Sequence, residues 1–231
     1  MTSALLFDVF GTVVDWRSSV IAAGSAVAAD VDWPGCADQW RRQGYLEPIG
    51  RMVRGEEPWA PIDGVMRAQL DVLADRFGFA SVGADALDDL ALVWERLDPW
   101  PDVQPGLARL KSRYPIGPLS NGSFGGLTRM GRYGGLGWDF IISTELFQSY
   151  KPDPKTYLGA AALLGLEPSE VMLVAAHPLD LQAAAGCGLG TAYVPRPQEW
   201  GPGGQVAPGR FDVVASDFID LAARLGITES S

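Results

Sequence analysis

Short apolar runs that alternate with helical patterns constrain this chain more than any other feature of its sequence. The pattern predicts six strands, at Leu5–Phe10, Ile116–Ser120, Phe140–Ser143, Val171–Ala175, Thr191–Val194 and Phe211–Ala215. Helices are predicted between most of the later strands, at Gly106–Arg113, Ser123–Arg132, Pro154–Leu164 and Leu179–Cys187. Apolar strands that alternate with helices indicate an α/β fold, with a parallel, Rossmann-like sheet covered on both faces.

The segment between the first two strands has a different pattern, because residues 16–100 contain no convincing strand. Its periodicity predicts helices instead, at Ser18–Ala29, Ala37–Val53, Ile62–Phe77 and Ala84–Leu97. We therefore predict two domains: an α/β core made of residues 1–15 and 101–231, and a helical cap domain, residues 16–100, inserted after the first strand. Proline and glycine between Trp100 and Gly106 are typical of such a boundary.

Composition excludes several classes of function. The formal net charge of −10 argues against a nucleic-acid partner, which requires a basic surface. No run of about 18 apolar residues is present, so no membrane span is expected. The two cysteines, Cys36 and Cys187, lie far apart, and there is no signal-peptide pattern, which together predict a cytoplasmic protein with reduced thiols. If the substrate is an anion, a few local cations must outweigh the overall negative field.

Polar residues follow four of the predicted strands. Asp8 lies in the first apolar run, and the others lie in the stretches "LSNGS" (Leu119–Ser123), "YKPD" (Tyr150–Asp153) and "AAHPLD" (Ala175–Asp180). The carboxyl ends of parallel strands meet at one edge of a sheet, where ligands bind in folds of this kind. We therefore expect these four stretches to form one site.

The stretches "FDVFGTVVD", "LSNGS", "YKPDPKTY" and "AAHPLD" resemble, in this order, the four motif regions of the haloacid dehalogenase superfamily. The resemblance covers nearly the whole chain, including the helical insert. Most members are phosphatases, which place a second aspartate two residues after the first and a further carboxylate after the fourth strand to hold Mg²⁺. Here those places hold Phe10 and the sequence Ala175-Ala176-His177, which supply a poor donor set for Mg²⁺. We therefore expect neither a metal nor another cofactor.

Within the superfamily the chain resembles the L-2-haloacid dehalogenases. That resemblance implies hydrolysis of short (S)-2-haloalkanoic acids to (R)-2-hydroxy acids through an aspartyl ester, with haloacetates such as fluoroacetate as further substrates. It implies that Asp8 is the nucleophile, that Thr12 orients it, and that Lys151 keeps it ionised. Ser120 and the backbone N–H groups around Asn121 would receive the substrate carboxylate.

The remaining roles follow from the same resemblance. Arg41, from the stretch "QWRRQ", and Asn121 would bind the departing halide. Asp180 would be the base for the attacking water, and Tyr157 would steady the cluster of Lys151 and its carboxylates. An apolar pocket would be lined by aromatic side chains, for which the candidates are Phe10, Trp16, Tyr45 and Trp59.

One part of the sequence departs from the family pattern. Typical members have Ser-Ser-Asn where this chain has Ala175-Ala176-His177, the last being the only histidine in the protein. We hypothesise that His177 supplies a hydrogen-bond donor to the halide or positions the water. An additional donor matters most for fluoride, which is a small and strong acceptor.

Two alternatives remain open from the sequence: a phosphatase on the same scaffold, and a non-catalytic binding protein. Both differ from the main prediction in whether free halide is released. The family resemblance also suggests a homodimer. The molecules that the protein would bind are a small anionic haloacid and water, and we expect it to bind neither nucleic acid nor a membrane.

Overall fold

The sheet at the centre of the molecule is parallel and has six strands. A computed structural model describes residues 1–204 and 209–227. The strands are β1 (Ala4–Phe7), β2 (Ile116–Ser120), β3 (Ile142–Ser143), β4 (Val171–Ala175), β5 (Gly190–Tyr193) and β6 (Val213–Val214). They lie in the order β3-β2-β1-β4-β5-β6. All six predicted strands are present, and the predicted parallel α/β fold is confirmed.

The first strand lies between β2 and β4 and is wholly buried, which explains its continuous apolar sequence. Leu5 pairs with Ile116 on one side and with Met172 on the other. β1 ends three residues earlier than predicted. The chain turns after Asp8, and Gly11 adopts a φ of +90°, a conformation that favours glycine.

Helices pack around the sheet. They are α6 (Val103–Lys111), α7 (Phe124–Tyr133), α8 (Pro154–Leu163), α9 (Pro178–Gly186) and α10 (Phe218–Arg224). The first four agree with the predicted helices to within three residues. The fifth, α10, was not predicted, although Asp217 caps it by accepting a hydrogen bond from the backbone N–H of Asp220.

The segment between β1 and β2 is helical, as predicted. Its helices are α1 (Trp16–Val27), α2 (Trp33–Gln39), α3 (Glu47–Val53), α4 (Ile62–Phe77) and α5 (Ala84–Ala91). The bounds of α4 match the prediction. The predicted single helix Ala37–Val53 is divided, because a π-helical segment, Trp40–Leu46, separates α2 from α3. The predicted helix Ala84–Leu97 ends at Ala91 and continues as a 3₁₀ turn.

The helical insert leaves and rejoins the core at two points that lie next to each other in space. The backbone N–H of Asp15 donates to the carbonyl of Asp98, and that of Trp100 donates to the carbonyl of Val13. Val14 forms an antiparallel bridge with Pro99. Two short extended segments therefore connect the insert to the core side by side. Across residues 1–204 and 209–227, every helix is too short or too polar to cross a lipid bilayer.

Candidate active site

Asp8 follows β1 directly, at the carboxyl edge of the sheet. Its backbone N–H donates to the carbonyl of Val174, which continues the pairing of β1 with β4 by one residue. The residue is only 7% exposed. Both carboxylate oxygens nevertheless accept hydrogen bonds from protein groups, and these bonds compensate for the water that the buried charge has lost.

Thr12 holds one oxygen of Asp8. The hydroxyl of Thr12 donates to Asp8 Oδ2 at 2.7 Å, and the Thr12 hydroxyl oxygen itself accepts the backbone N–H of Ala176 at 2.8 Å. The N–H from the end of β4 thereby fixes the direction in which the hydroxyl donates. The predicted contact between Thr12 and Asp8 is present.

Lys151 lies between two carboxylates. Its Nζ donates to Asp8 Oδ1 at 2.8 Å and to Asp180 Oδ2 at 2.6 Å. Burial alone would lower the pKa of Lys151, but the charges of Asp180 and Asp8 outweigh it and raise that pKa above its usual range. Burial would likewise raise the pKa of Asp8. The charge of Lys151 and the hydrogen bond from His177 instead hold the pKa of Asp8 well below its usual range.

Tyr157 completes this cluster from α8. Its hydroxyl donates to Asp180 Oδ1 at 2.5 Å, so Asp180 receives one donor on each oxygen. Burial, followed by the charge of Asp180, raises the pKa of Tyr157. The phenol therefore stays neutral and remains a donor. As predicted, Tyr157 contacts the carboxylate that also binds Lys151.

Asn121 and Ser120 are neighbours in the chain but make different hydrogen bonds near the site. The Asn121 side chain accepts the backbone N–H of Lys151 at 2.7 Å and donates to the Lys151 carbonyl at 3.3 Å, so it positions the backbone that carries the lysine. Ser120 is fully buried, and its hydroxyl accepts the backbone N–H of Gly122. Ser120 is not among the residues that line the cavity around Asp8, and its role toward the substrate carboxylate stays a prediction.

Arg41 enters the site from the helical insert, on the π-helical segment. Residues four apart lie nearly above one another in such a segment, and the guanidinium carbon of Arg41 lies 4.0 Å from the ring centre of Tyr45. Arg41 is 4% exposed, and its Nε and Nη1 have no hydrogen-bond partner within residues 1–204 and 209–227. Arg42, in contrast, is exposed and lies over Trp200, so the two neighbouring arginines point into different surroundings.

A cavity of about 360 Å³ separates Asp8 from the insert. Its charged lining residues are Asp8, Arg41, Lys151, His177, Asp180 and Glu199, and its apolar ones include Phe10, Tyr45, Leu46, Leu179 and Trp200. Two of the predicted aromatic residues, Phe10 and Tyr45, line it. Trp16 and Trp59 do not: Trp16 is fully buried, and Trp59 packs on Tyr150.

His177 is placed differently from the hypothesis drawn from the sequence. Its Nδ1 lies 2.9 Å from Asp8 Oδ2, and its Nε2 lies 2.9 Å from Glu199 Oε2. Both ring nitrogens are therefore occupied by carboxylates, which leaves no N–H for a halide. Burial would lower the pKa of His177, but the hydrogen bonds to Asp8 and Glu199 raise it to about 10.

Glu199 is the site residue that the sequence did not indicate. It is 6% exposed, and its Oε1 accepts the indole N–H of Trp16 at 3.1 Å. Glu199 lies in a proline- and glycine-rich loop with no periodicity, far in sequence from its partners. The one available signal was its place, six residues after the last residue of β5, because such loops lie at the carboxyl edge of the sheet.

The fold and this arrangement define a class of protein: a parallel α/β core with a helical insert after the first strand and a buried, lysine-paired aspartate at the end of that strand. A model of the haloacid dehalogenase-like hydrolases matches residues 2–188. The chain belongs to the haloacid dehalogenase-like hydrolase family.

Individual relatives carry names that are more specific than that of the family. The chain is 30% identical over 208 residues to an (S)-2-haloacid dehalogenase of Xanthobacter autotrophicus, covering 85% of this chain and 76% of that protein. It is 34% identical over 204 residues to an (S)-2-haloacid dehalogenase of Pseudomonas sp. (strain YL), covering 83% and 82%. Among solved structures it is similar to a defluorinating L-2-haloacid dehalogenase, with 43% identity, a TM-score of 0.92, and coverage of 97% and 95%.

Proposed function

We propose that this protein is an (S)-2-haloacid dehalogenase, a hydrolase that cleaves the carbon–halogen bond of short 2-haloalkanoic acids and releases (R)-2-hydroxy acids. The observation that carries the proposal is that one cavity is lined both by Asp8, whose pKa is held well below its usual range, and by Arg41, whose Nε and Nη1 lack a hydrogen-bond partner among the described residues. A nucleophile on one side and an anion-binding group on the other are what displacement of halide from carbon requires.

In the first step an oxygen of Asp8 attacks C2 of the substrate, and the halide leaves with the bonding electron pair. Attack from the side opposite the halide inverts C2, which accounts for an (R) product from an (S) substrate. The free N–H groups of Arg41 would bind the halide. The substrate carboxylate, about 4 Å from Asp8, would be repelled by about 4 kcal/mol at an effective dielectric constant near 20. Lys151 offsets that repulsion.

The substrate carboxylate needs donors in addition to Ser120, which is fully buried. We assign it to the backbone N–H groups around Asn121, whose side chain lines the cavity and holds the segment that carries Lys151. Asn121 already uses its amide for that segment, so its contribution to halide binding would be secondary to that of Arg41.

In the second step water attacks Cγ of the Asp8 ester. The bond between Cγ and the ester oxygen breaks, which releases the hydroxy acid and restores the carboxylate. Asp180 would accept the proton of the water and pass it to the departing ester oxygen, since the donors Lys151 and Tyr157 fix its orientation and its oxygens keep further lone pairs.

We propose that the site residues come from two domains. A core of residues 1–15 and 101–231 supplies Asp8, and a cap of residues 16–100 supplies Arg41 and Tyr45. The paired segments at Val14 and Pro99 support this boundary. A cap that moves about this connection would admit the substrate and exclude water during the first step.

The test uses each enantiomer of 2-chloropropionate in the presence of EDTA, with free chloride as the measurement. We expect release from the (S) enantiomer alone, and a loss of at least about 10³-fold in Asp8→Asn, because the nucleophile is removed. No chloride from either enantiomer would refute the proposal. Chelator-sensitive release of phosphate from a phosphate ester would instead support a phosphatase, and unchanged properties of Asp8→Asn would support a non-catalytic role.

Fluoroacetate belongs to the proposed substrate range, since the chain is similar to a dehalogenase described as defluorinating. Release of fluoride, measured with an ion-selective electrode, tests this range separately from chloride release. A cytoplasmic location and a homodimer stay predictions, for which cell fractionation and the mass in solution are the measurements.

A further inference from the structure

His177 and Glu199 form a buried ion pair that the two steps above do not use. Ionised carboxylates only accept hydrogen bonds, so His177 must donate from both ring nitrogens to Asp8 and Glu199. The ring is therefore an imidazolium. One N–H is directed at the nucleophile, and the other is anchored by a carboxylate.

The two oxygens of Asp8 are not equivalent. Oδ2 accepts from both Thr12 and His177, whereas Lys151 is the single donor to Oδ1 in the part of the chain that the structure describes. An oxygen with two donors has less electron density to offer than an oxygen with one. Oδ1 is therefore the better attacking atom, and Oδ2 becomes the carbonyl oxygen of the ester.

We propose that His177, anchored by Glu199, acts with Thr12 as the pair of donors that stabilises negative charge on Oδ2 when water attacks the Asp8 ester. As water adds to Cγ, the carbonyl electron pair moves onto Oδ2, which is then an oxyanion. When the carbonyl forms again, the bond from Cγ to the ester oxygen breaks, and the proton that Asp180 took from the water passes to that departing oxygen, which leaves as the hydroxyl of the hydroxy acid. This inference rests on the proposed dehalogenase function.

Glu199 has a role specific to the second step. While Asp8 is ionised, two carboxylates favour the charged form of His177. Once Asp8 is esterified it carries no charge, and Glu199 is the carboxylate that still contacts the ring. The other charged groups of the cavity are Asp180, Lys151 and Arg41, and the two cations oppose protonation of His177. Glu199 is thus a positioning residue that keeps the donor charged in the intermediate.

The experiment separates the two steps with (S)-2-chloropropionate in rapid-quench assays. Chloride reports ester formation, lactate reports ester hydrolysis, and the mass of the intact protein reports the trapped ester. The variant is His177→Leu/Glu199→Gln, which removes the donor without leaving Glu199 as an unpaired charge. We expect a chloride burst of about one equivalent per site, lactate formation slower by about 10²-fold, and accumulation of the ester.

His177→Asn/Glu199→Gln restores a neutral donor, and we expect it to recover part of the lactate rate. Glu57→Gln is the control, because it removes a carboxylate that is paired with Arg51 outside the cavity. It should leave both rates unchanged. Equal slowing of chloride and lactate, with no ester, would overturn the inference while leaving the dehalogenase function intact.

Glu199→Gln alone adds a measurement that a purely structural role would not move. The donor is present below the pKa of His177, and the second step weakens as pH rises through that value. Asp8 and Glu199 together raise the pKa of His177 to about 10 while Asp8 is ionised, and in the ester, where Asp8 is uncharged, Glu199 is the carboxylate that still raises it. Loss of the Glu199 charge lowers it, so the lactate rate should decline at lower pH than in the wild type. An unshifted profile would contradict the role of Glu199, and no chloride from the wild type would overturn both proposals.

Discussion

Arg41 is the residue at which stability and function oppose each other most directly. Two of its nitrogens are buried without partners, and a buried donor that lacks a partner costs about 1–3 kcal/mol. The contact with Tyr45 offsets part of this cost, since a cation over an aromatic ring contributes about 0.5–2 kcal/mol. An anion in the cavity would satisfy the free donors.

Arg41→Met should therefore abolish most activity and stabilise the fold. We expect kcat/KM for (S)-2-chloropropionate to fall by about 10²-fold or more, because the halide loses a charged donor. The free energy of unfolding should rise by about 1 kcal/mol, because the unpaired charge is gone. Chloride release and urea denaturation are the measurements.

Arg42→Met is the matched control for this change. Arg42 is the next residue, but it is exposed and lies over Trp200 rather than inside the cavity. Both its activity and its stability should stay close to those of the wild type. A loss of stability in Arg41→Met, comparable with its loss of activity, would show that Arg41 is a structural residue.

At the scale of elements, the loop after β1 is shaped by one glycine. Gly11 adopts a φ of +90°, and a Cβ at this position would lie 2.2 Å from Glu199 Oε1. The absence of a side chain therefore provides the space that Glu199 occupies. The loop that carries Asp8 and the loop after β5 are fitted to each other through this contact.

Gly11→Ala should consequently act on Glu199 as well as on the backbone. Gly78→Ala is the control, because Gly78 has a φ of +79° and nothing within 4 Å of an added Cβ. We expect Gly78→Ala to cost about 1 kcal/mol of stability from the left-handed conformation alone. Gly11→Ala should cost clearly more by thermal denaturation, and it should also slow lactate formation as Glu199→Gln does. Equal costs in the two variants would mean that Glu199 moves aside freely.

The elements that the sequence revealed were those with strong local patterns. The buried strands and the helix Ile62–Phe77 follow from apolar periodicity, and Asp8, Lys151 and Asp180 follow from their places at strand ends. The π-helical segment was not visible, because an extra residue in a helical turn leaves no clear trace in periodicity. Glu199 was missed because its role depends on contacts with Trp16 and His177, far away in sequence.

On the scale of the whole molecule, charge opposes the proposed substrate. The chain carries a formal net charge of −10, whereas the six charged residues of the cavity are three carboxylates and three cations, with His177 counted as an imidazolium. The site is therefore nearly neutral inside a strongly acidic protein. A haloacid anion is repelled at long range and bound at short range.

The long-range repulsion of the substrate and its short-range binding respond differently to salt. The screening length is about 30 Å at 0.01 M ionic strength and about 8 Å at 0.15 M, so added salt weakens the distant repulsion but hardly affects contacts inside the cavity. We expect KM for (S)-2-chloropropionate to fall by about two-fold or more over this interval, with sodium sulfate as the salt so that no halide competes. In Asp75→Asn/Asp85→Asn, which removes two exposed negative charges, the dependence should be flatter. A KM that rises steadily with salt would instead show that attraction to the local cations, and not the field of the whole protein, governs substrate capture.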